Sequence, residues 1–288
     1  MRVDVRGRMP MTNGLARNGD QPARAGGRGF FTGVDVGVIG VAAARTMNPP
    51  YPPRSSWLAM EDYVALINEA TPMRAAPMPL STRDLPTLVS AITGLRAPVS
   101  AVLVVGLSAA ESAAVQHRVA DAGGPLVITH IDAVTMLRSR AVTRARARVV
   151  MADTESLPLL GPILIGCGIG ELTTWHHRDA HDYPLARLMA HNDVLVDPNA
   201  AVSVPHAGDR TVRIPDEPFE FGALVVPGLL AGLCGRGVAT LEVEHLLAAA
   251  HVLALLTPPG RLLPESDEPL IVETIARHIS KTLTDRHR

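Results

Sequence analysis

Short runs of Val, Ile and Leu alternate along the chain with longer segments in which apolar residues recur at helical spacing. Near-continuous apolar runs separated by helices are typical of a parallel sheet that is covered on both faces. The predicted strands are Ala101–Gly106, Leu126–Thr129, Ala147–Ala152, Glu171–Trp175, Asp193–Val196 and Ala223–Val226. The predicted helices are Trp57–Glu69, Arg83–Thr93, Ala109–Ala122, Asp132–Ala145, Leu185–Ala190, Leu241–Leu256 and Leu270–Thr284, with a shorter one over Ser156–Ile165. The pattern predicts an α/β fold: a doubly wound, Rossmann-like parallel sheet with a second, smaller α/β domain.

The chain is expected to divide into four parts. Residues 1–31 have little apolar content and no periodicity, which predicts a disordered N-terminal tail. Residues 32–130 are expected to form a first α/β domain, and residues 131–260 a Rossmann-like domain. Residues 261–288 are expected to form a C-terminal helix that packs back on the first domain.

Composition narrows the class of protein. The formal net charge of the 288 residues is −1, which argues against a broad surface for nucleic acid or for an anionic membrane. The apolar stretches are short and broken by Gly and Pro, whereas a bilayer span needs roughly 20 apolar residues. No secretory signal is visible, so a soluble cytoplasmic protein is expected. Cys167 and Cys234 lie in apolar stretches and are interpreted as buried, reduced thiols.

The turn after the strand Ala147–Ala152 is the first place to look for a nucleotide site, because such folds bind phosphates where a strand leads into a helix. A pyrophosphate needs glycines there, so that the backbone N–H groups can approach closely. This turn contains Asp153, Thr154, Glu155 and Ser156 and no glycine. Two carboxylates would stand where phosphates should bind, and they would repel them. Asp153 or Ser156 can alternatively be a simple helix N-cap.

Two other groups of residues are candidates for catalysis or metal binding. His130 and Asp132 follow a predicted strand at the edge where α/β sites lie, and residues i and i+2 of a strand share a face. They are candidates for proton transfer. His177 and His181 have the i, i+4 spacing of metal ligands on a helix, with Asp179 between them. A solvated polar loop is the alternative interpretation of this second group, and we expect no metal site.

Several segments, taken in order, resemble the malic enzymes. Gly222–Gly235 (GALVVPGLLAGLCG) is similar to the family's NNVLAFPGIFRGAL, and Leu262–Pro269 (LLPESDEP) to its IVPSPFDP. Val36–Ala44 (VGVIGVAAA) resembles the GDIG-x-x-A segment, and Asp193–Asn199 (DVLVDPN) the ALANP strand end. The resemblance covers about residues 33–285. It implies NAD or NADP as the cofactor, a homodimer, and His176 at the strand end that reads the cofactor ribose.

The same resemblance implies a lysine base, a tyrosine acid and three carboxylate ligands for Mg²⁺ or Mn²⁺. Lys281 is the only lysine, and it lies far from the segment where the family's base is expected. No residue matches the family's tyrosine; Tyr51 lies in a PPYPP context that is unlike the family's.

The metal and substrate positions also depart from the family pattern. Glu111 is the only acidic residue of the matching metal helix, and the family's Asp-Asp pair is replaced by Thr129 and His130. Phe221 and Gly222 replace the paired asparagines that hold the substrate. The sequence therefore predicts a malic-enzyme-like protein with a degenerate site, which acts as a binding or regulatory scaffold for a small-molecule ligand. The alternative is an NAD(P)-dependent oxidoreductase with a remodelled site.

Overall fold

The computed structural model describes residues 34–41, 55–78, 80, 82, 84–95, 98–135, 147–152, 154–197, 211–212, 218–258, 264 and 270–286. These residues all belong to one compact unit, Phe31–Arg288. The predicted N-terminal tail, residues 1–31, lies outside the described residues. No described helix is both long enough and apolar enough to span a bilayer.

A first sheet of four parallel strands is built from the N-terminal half of the chain. Its strands are β1 (Val36–Gly40), β2 (Ala75–Pro77), β3 (Ala101–Val105) and β4 (Leu126–Thr129), in the order β2-β1-β3-β4. The connecting helices are α1 (Ser56–Ala70), α2 (Leu85–Thr93) and α3 (Ala109–Asp121), and α4 begins at His130 and is described to Thr135. The strand order reverses between β1 and β3, and ligands bind such α/β folds at the carboxyl ends of the strands flanking this point.

A second parallel sheet repeats the same order, β6-β5-β7-β8. Its strands are β5 (Arg148–Ala152), β6 (Glu171–Trp175), β7 (Val194–Val196) and β8 (Thr211–Val212). A 3-10 turn (Thr154–Ser156) and α5 (Leu160–Gly166) follow β5, and a 3-10 turn (His177–Asp179) and α6 (Leu185–Met189) follow β6. The predicted doubly wound α/β class is confirmed.

Three further helices pack against the first sheet: α7 (Pro218–Leu233), α8 (Val243–Leu256) and α9 (Leu270–Arg286). One core contains residues of β1, β3 and these helices, among them Val36, Leu103, Leu229 and Ile275. The segment 131–260, predicted as one domain, therefore contributes two helices to the core of the first sheet. The division at residues 130 and 260 remains a prediction.

The α7–α9 crossing depends on glycine. A Cβ atom at Gly228 would lie 2.7 Å from the Cβ atom of Ile275, and one at Gly232 would lie 2.9 Å from that of Ile279. Two glycines four residues apart thus form a groove on α7 that holds the isoleucines of α9.

The predicted strand Ala223–Val226 is wrong, because these residues belong to α7. The β-branched Val225 and Val226 favour a strand, and Pro227 favours the end of an element. The whole run from Gly222 to Leu233 is apolar, however, and an element that is apolar on all sides suits a buried helix. Packing against α9 overrides the local preference.

Three of the described strands were not predicted from the sequence: β1, β2 and β8.

Candidate functional site

The carboxyl edge of the first sheet is closely packed at its switch point. The N–H of Val41 donates to the Val105 carbonyl across 2.8 Å, and this bond extends the β1–β3 pairing. Gly106 follows with φ +99°, and a Cβ atom there would collide with the Val41 carbonyl. A Cβ atom at Gly40 would lie 2.6 Å from the Ser56 carbonyl. The start of α1 therefore rests directly on the strand ends because two glycines leave room for it.

His130 is the first residue of α4 and lies at this edge. Its Nδ1 atom accepts a hydrogen bond from the N–H of Gly106 at 3.4 Å. Loss of solvation lowers the pKa of His130 to about 4, although a hydrogen bond with the Val104 backbone opposes the shift. The imidazole is therefore neutral at pH 7 and serves as a hydrogen-bond acceptor that links β3 to α4.

Asp132 caps the first turn of α4. Its Oδ2 atom accepts hydrogen bonds from the N–H of Thr129 (2.7 Å), the Thr129 hydroxyl (2.9 Å) and the Gln116 amide (2.8 Å). Burial raises the pKa of Asp132 to about 6, while the bonds from Thr129 and Gln116 lower it. The expectation that His130 and Asp132 share a strand face is wrong, since the strand ends at Thr129 and both lie in a helix. Each side chain is committed to different partners.

Glu111, the acidic residue of the matching metal helix, is also a helix cap. Its carboxylate accepts hydrogen bonds from the N–H and the hydroxyl of Ser108, both at 2.8 Å, and the Ser108 hydroxyl accepts from the N–H of Glu111. This reciprocal pair is a capping box at the N-terminus of α3. Among the residues described, no three His, Cys, Asp or Glu side chains come together as a metal site. The described carboxylates at this edge do not fit a divalent cation.

The turn after β5 packs against helices α3 and α4 of the first sheet. Asp153 lies outside the described residues; Thr154, Glu155 and Ser156 form a 3-10 turn that contacts α3. Glu155 is exposed. Leu157 is buried in a small core against which Ile131 and Val134 of α4 also pack.

Two backbone donors of this turn are used within it. The N–H of Leu157 donates to the Thr154 carbonyl, and the N–H of Leu160 donates to the Leu157 carbonyl. Pro162 has no N–H, and α5 has only seven residues. A pyrophosphate needs free N–H groups at a helix N-terminus. The described residues of this turn do not fit such a group.

Asp197 is a buried carboxylate that the sequence interpretation did not single out. It follows β7, and the pairing of Met151 with Val196 places it beside Ala152 at the switch point of the second sheet. The available signal was an acidic residue directly after an apolar strand. Asp197 and Glu155 on the neighbouring turn are thus both acidic residues at the edge where a dinucleotide would bind in such a fold.

The histidine-rich segment after β6 is an exposed turn. His176 accepts a hydrogen bond from the N–H of Arg178 through Nδ1 (3.1 Å), and its ring lies 4.1 Å from that of His177. His177, Asp179 and His181 are all exposed, and they lie in a 3-10 turn and the hydrogen-bonded turn after it rather than in an α-helix. The i, i+4 geometry required for the metal alternative is therefore not formed.

Gly222, which the resemblance aligns with one of the paired asparagines, packs against Tyr63 of α1. The ring of Tyr63 is fully buried, and a Cβ atom at Gly222 would collide with its hydroxyl. Tyr63 therefore occupies the space that an asparagine side chain at residue 222 would need.

The chain's lysine and one of its cysteines do not supply a reactive group at this edge. Lys281 is exposed on α9. Cys234 lies 2.8 Å from the Ser100 hydroxyl, and burial raises the pKa of its thiol, which makes it a weak nucleophile.

Comparison with known proteins gives a fold. No protein-family model and no curated protein matches the chain. Among solved structures, the NAD-dependent malic enzyme of Thermotoga maritima matches with a TM-score of 0.65 and 15% identity, over 86% of this chain and 83% of that one. The Entamoeba histolytica malic enzyme matches with a TM-score of 0.67 and 14% identity, over 88% of this chain and 70% of that one. The Pyrococcus horikoshii malic enzyme matches with a TM-score of 0.64 and 13% identity, over 88% of this chain and 77% of that one. The chain has the fold of the malic enzymes.

Proposed function

We propose that this chain is a malic-enzyme-fold protein that has lost malate decarboxylation and serves as a binding or regulatory scaffold. One observation carries the proposal: Glu111 and Asp132, the carboxylates nearest to the positions of the family's metal ligands, are both held as helix caps. The Oε2 atom of Glu111 accepts two short hydrogen bonds from Ser108, and the Oδ2 atom of Asp132 accepts three from Thr129 and Gln116, so neither oxygen has much capacity left for a cation.

The absence of the family's lysine base and metal ligands is too large a loss of catalytic power for small adjustments of the site to offset. General acid–base catalysis contributes roughly 10²–10⁴-fold, and metal polarisation several kcal/mol more. The chain's only lysine is exposed on α9. The ligand of such a scaffold is a small molecule that carries no pyrophosphate, because the turn after β5 contains the acidic Glu155 and uses the N–H groups of Leu157 and Leu160 for its own hydrogen bonds. We also propose that the protein is cytoplasmic and forms a homodimer.

An NAD(P)-dependent oxidoreductase with a remodelled site is the second candidate. The parallel order of the second sheet favours it, since the switch point between β5 and β7 is where such folds bind dinucleotides. In this alternative Asp153, Thr154, Glu155, Ser156 and His176 would contact the cofactor, and His130 with Asp132 would transfer the proton.

Turnover and one conservative variant test the proposal. Purified protein is assayed for malate-dependent reduction of NAD⁺ and NADP⁺ with Mn²⁺, and we expect no rate above the enzyme-free background. In Glu111→Gln the capping box is retained, because glutamine also serves at this position. If Glu111 is a cap, the variant should melt at the wild-type temperature and Mn²⁺ should shift neither protein. An Mn²⁺-induced stabilisation that disappears in Glu111→Gln would make Glu111 a metal ligand and overturn the proposal.

A further inference from the structure

We draw no further inference here: the strongest candidate, the exposed apolar side chains of Ile165 at the end of α5 and Leu255 on the adjoining helix α8, carries nothing because nothing in the structure shows what covers them.

Discussion

Two neighbouring side chains at the start of α4 should make opposite contributions to stability in acid. The pKa of His130 falls from 6.5 to about 4, chiefly because the imidazole is desolvated. The pKa of Asp132 rises from 3.8 to about 6, chiefly because the carboxyl group is buried. Each shift corresponds to about 3 kcal/mol at 1.36 kcal/mol per pH unit.

The signs follow from which state of the protein binds more protons. Between pH 6.5 and 4 the unfolded chain protonates His130 while the folded chain does not, so the folded state loses about 3 kcal/mol as the pH falls. Between pH 6 and 3.8 the folded chain protonates Asp132 while the unfolded chain does not, so the folded state gains about 3 kcal/mol. In the wild-type protein the two contributions nearly cancel.

Substitution of either residue should expose the contribution of the other. Asp132→Asn keeps an oxygen acceptor for Thr129, and His130→Asn keeps an acceptor near the Nδ1 position. From pH 6.5 to 4, the free energy of unfolding of Asp132→Asn should fall by about 3 kcal/mol relative to wild type, because only the His130 effect remains. That of His130→Asn should rise by about the same amount. Urea denaturation followed by circular dichroism, repeated at half-unit pH steps, measures both slopes.

His117 provides the matched control. It is 76% exposed on α3 and pairs with Asp121 across 2.8 Å, and an exposed pair of this kind contributes little to stability. His117→Asn should therefore follow the wild-type pH dependence. Two variants at residues 130 and 132 that both run parallel to wild type, or that deviate in the same direction, would refute the assignment of oppositely shifted groups.

Two further substitutions test the packing and the caps. Gly228→Ala should lower the free energy of unfolding by about 1–3 kcal/mol, because its Cβ atom would lie 2.7 Å from that of Ile275. Gly170→Ala is the control, since a Cβ atom there has no atom within 4 Å, and it should leave the free energy of unfolding unchanged. Equal melting temperatures for the two variants would contradict the tight crossing of α7 and α9. Ser108→Ala should cost about 1 kcal/mol in urea denaturation, since it removes the capping box with Glu111, and an unchanged midpoint would show that the cap contributes nothing.

Much of the fold follows from local pattern. The strand Glu171–Trp175 and the helix after Ser108 were predicted within one residue of their observed bounds, because a bounded apolar run and a capping motif are both local signals. The central strand β1 escaped prediction because Gly37 and Gly40 weaken its strand signal. Gly37 makes room for the Met78 side chain, since a Cβ atom there would lie 2.5 Å from the sulfur of Met78.

The contacts of the candidate site residues could not be predicted from the sequence, for a physical reason. The sequence marks His130, Asp132 and Glu111 as polar residues near strand ends, but it does not show which donors reach them. The bond from Gln116 to Asp132 joins α3 to α4, and the Tyr63–Gly222 contact joins α1 to α7. Such pairings depend on the three-dimensional arrangement of helices and have no local signature.

A thermal-shift titration tests the central claim most directly, with NAD⁺, NADP⁺, and L-malate together with Mn²⁺ as ligands. A ligand at about 100 times its Kd stabilises by about 2.7 kcal/mol, which at roughly 2–4 °C per kcal/mol is a shift of several degrees. The account predicts a cooperative melting transition that none of these ligands moves. A shift of several degrees with either nucleotide, or with malate and Mn²⁺, would contradict it and favour a remodelled oxidoreductase.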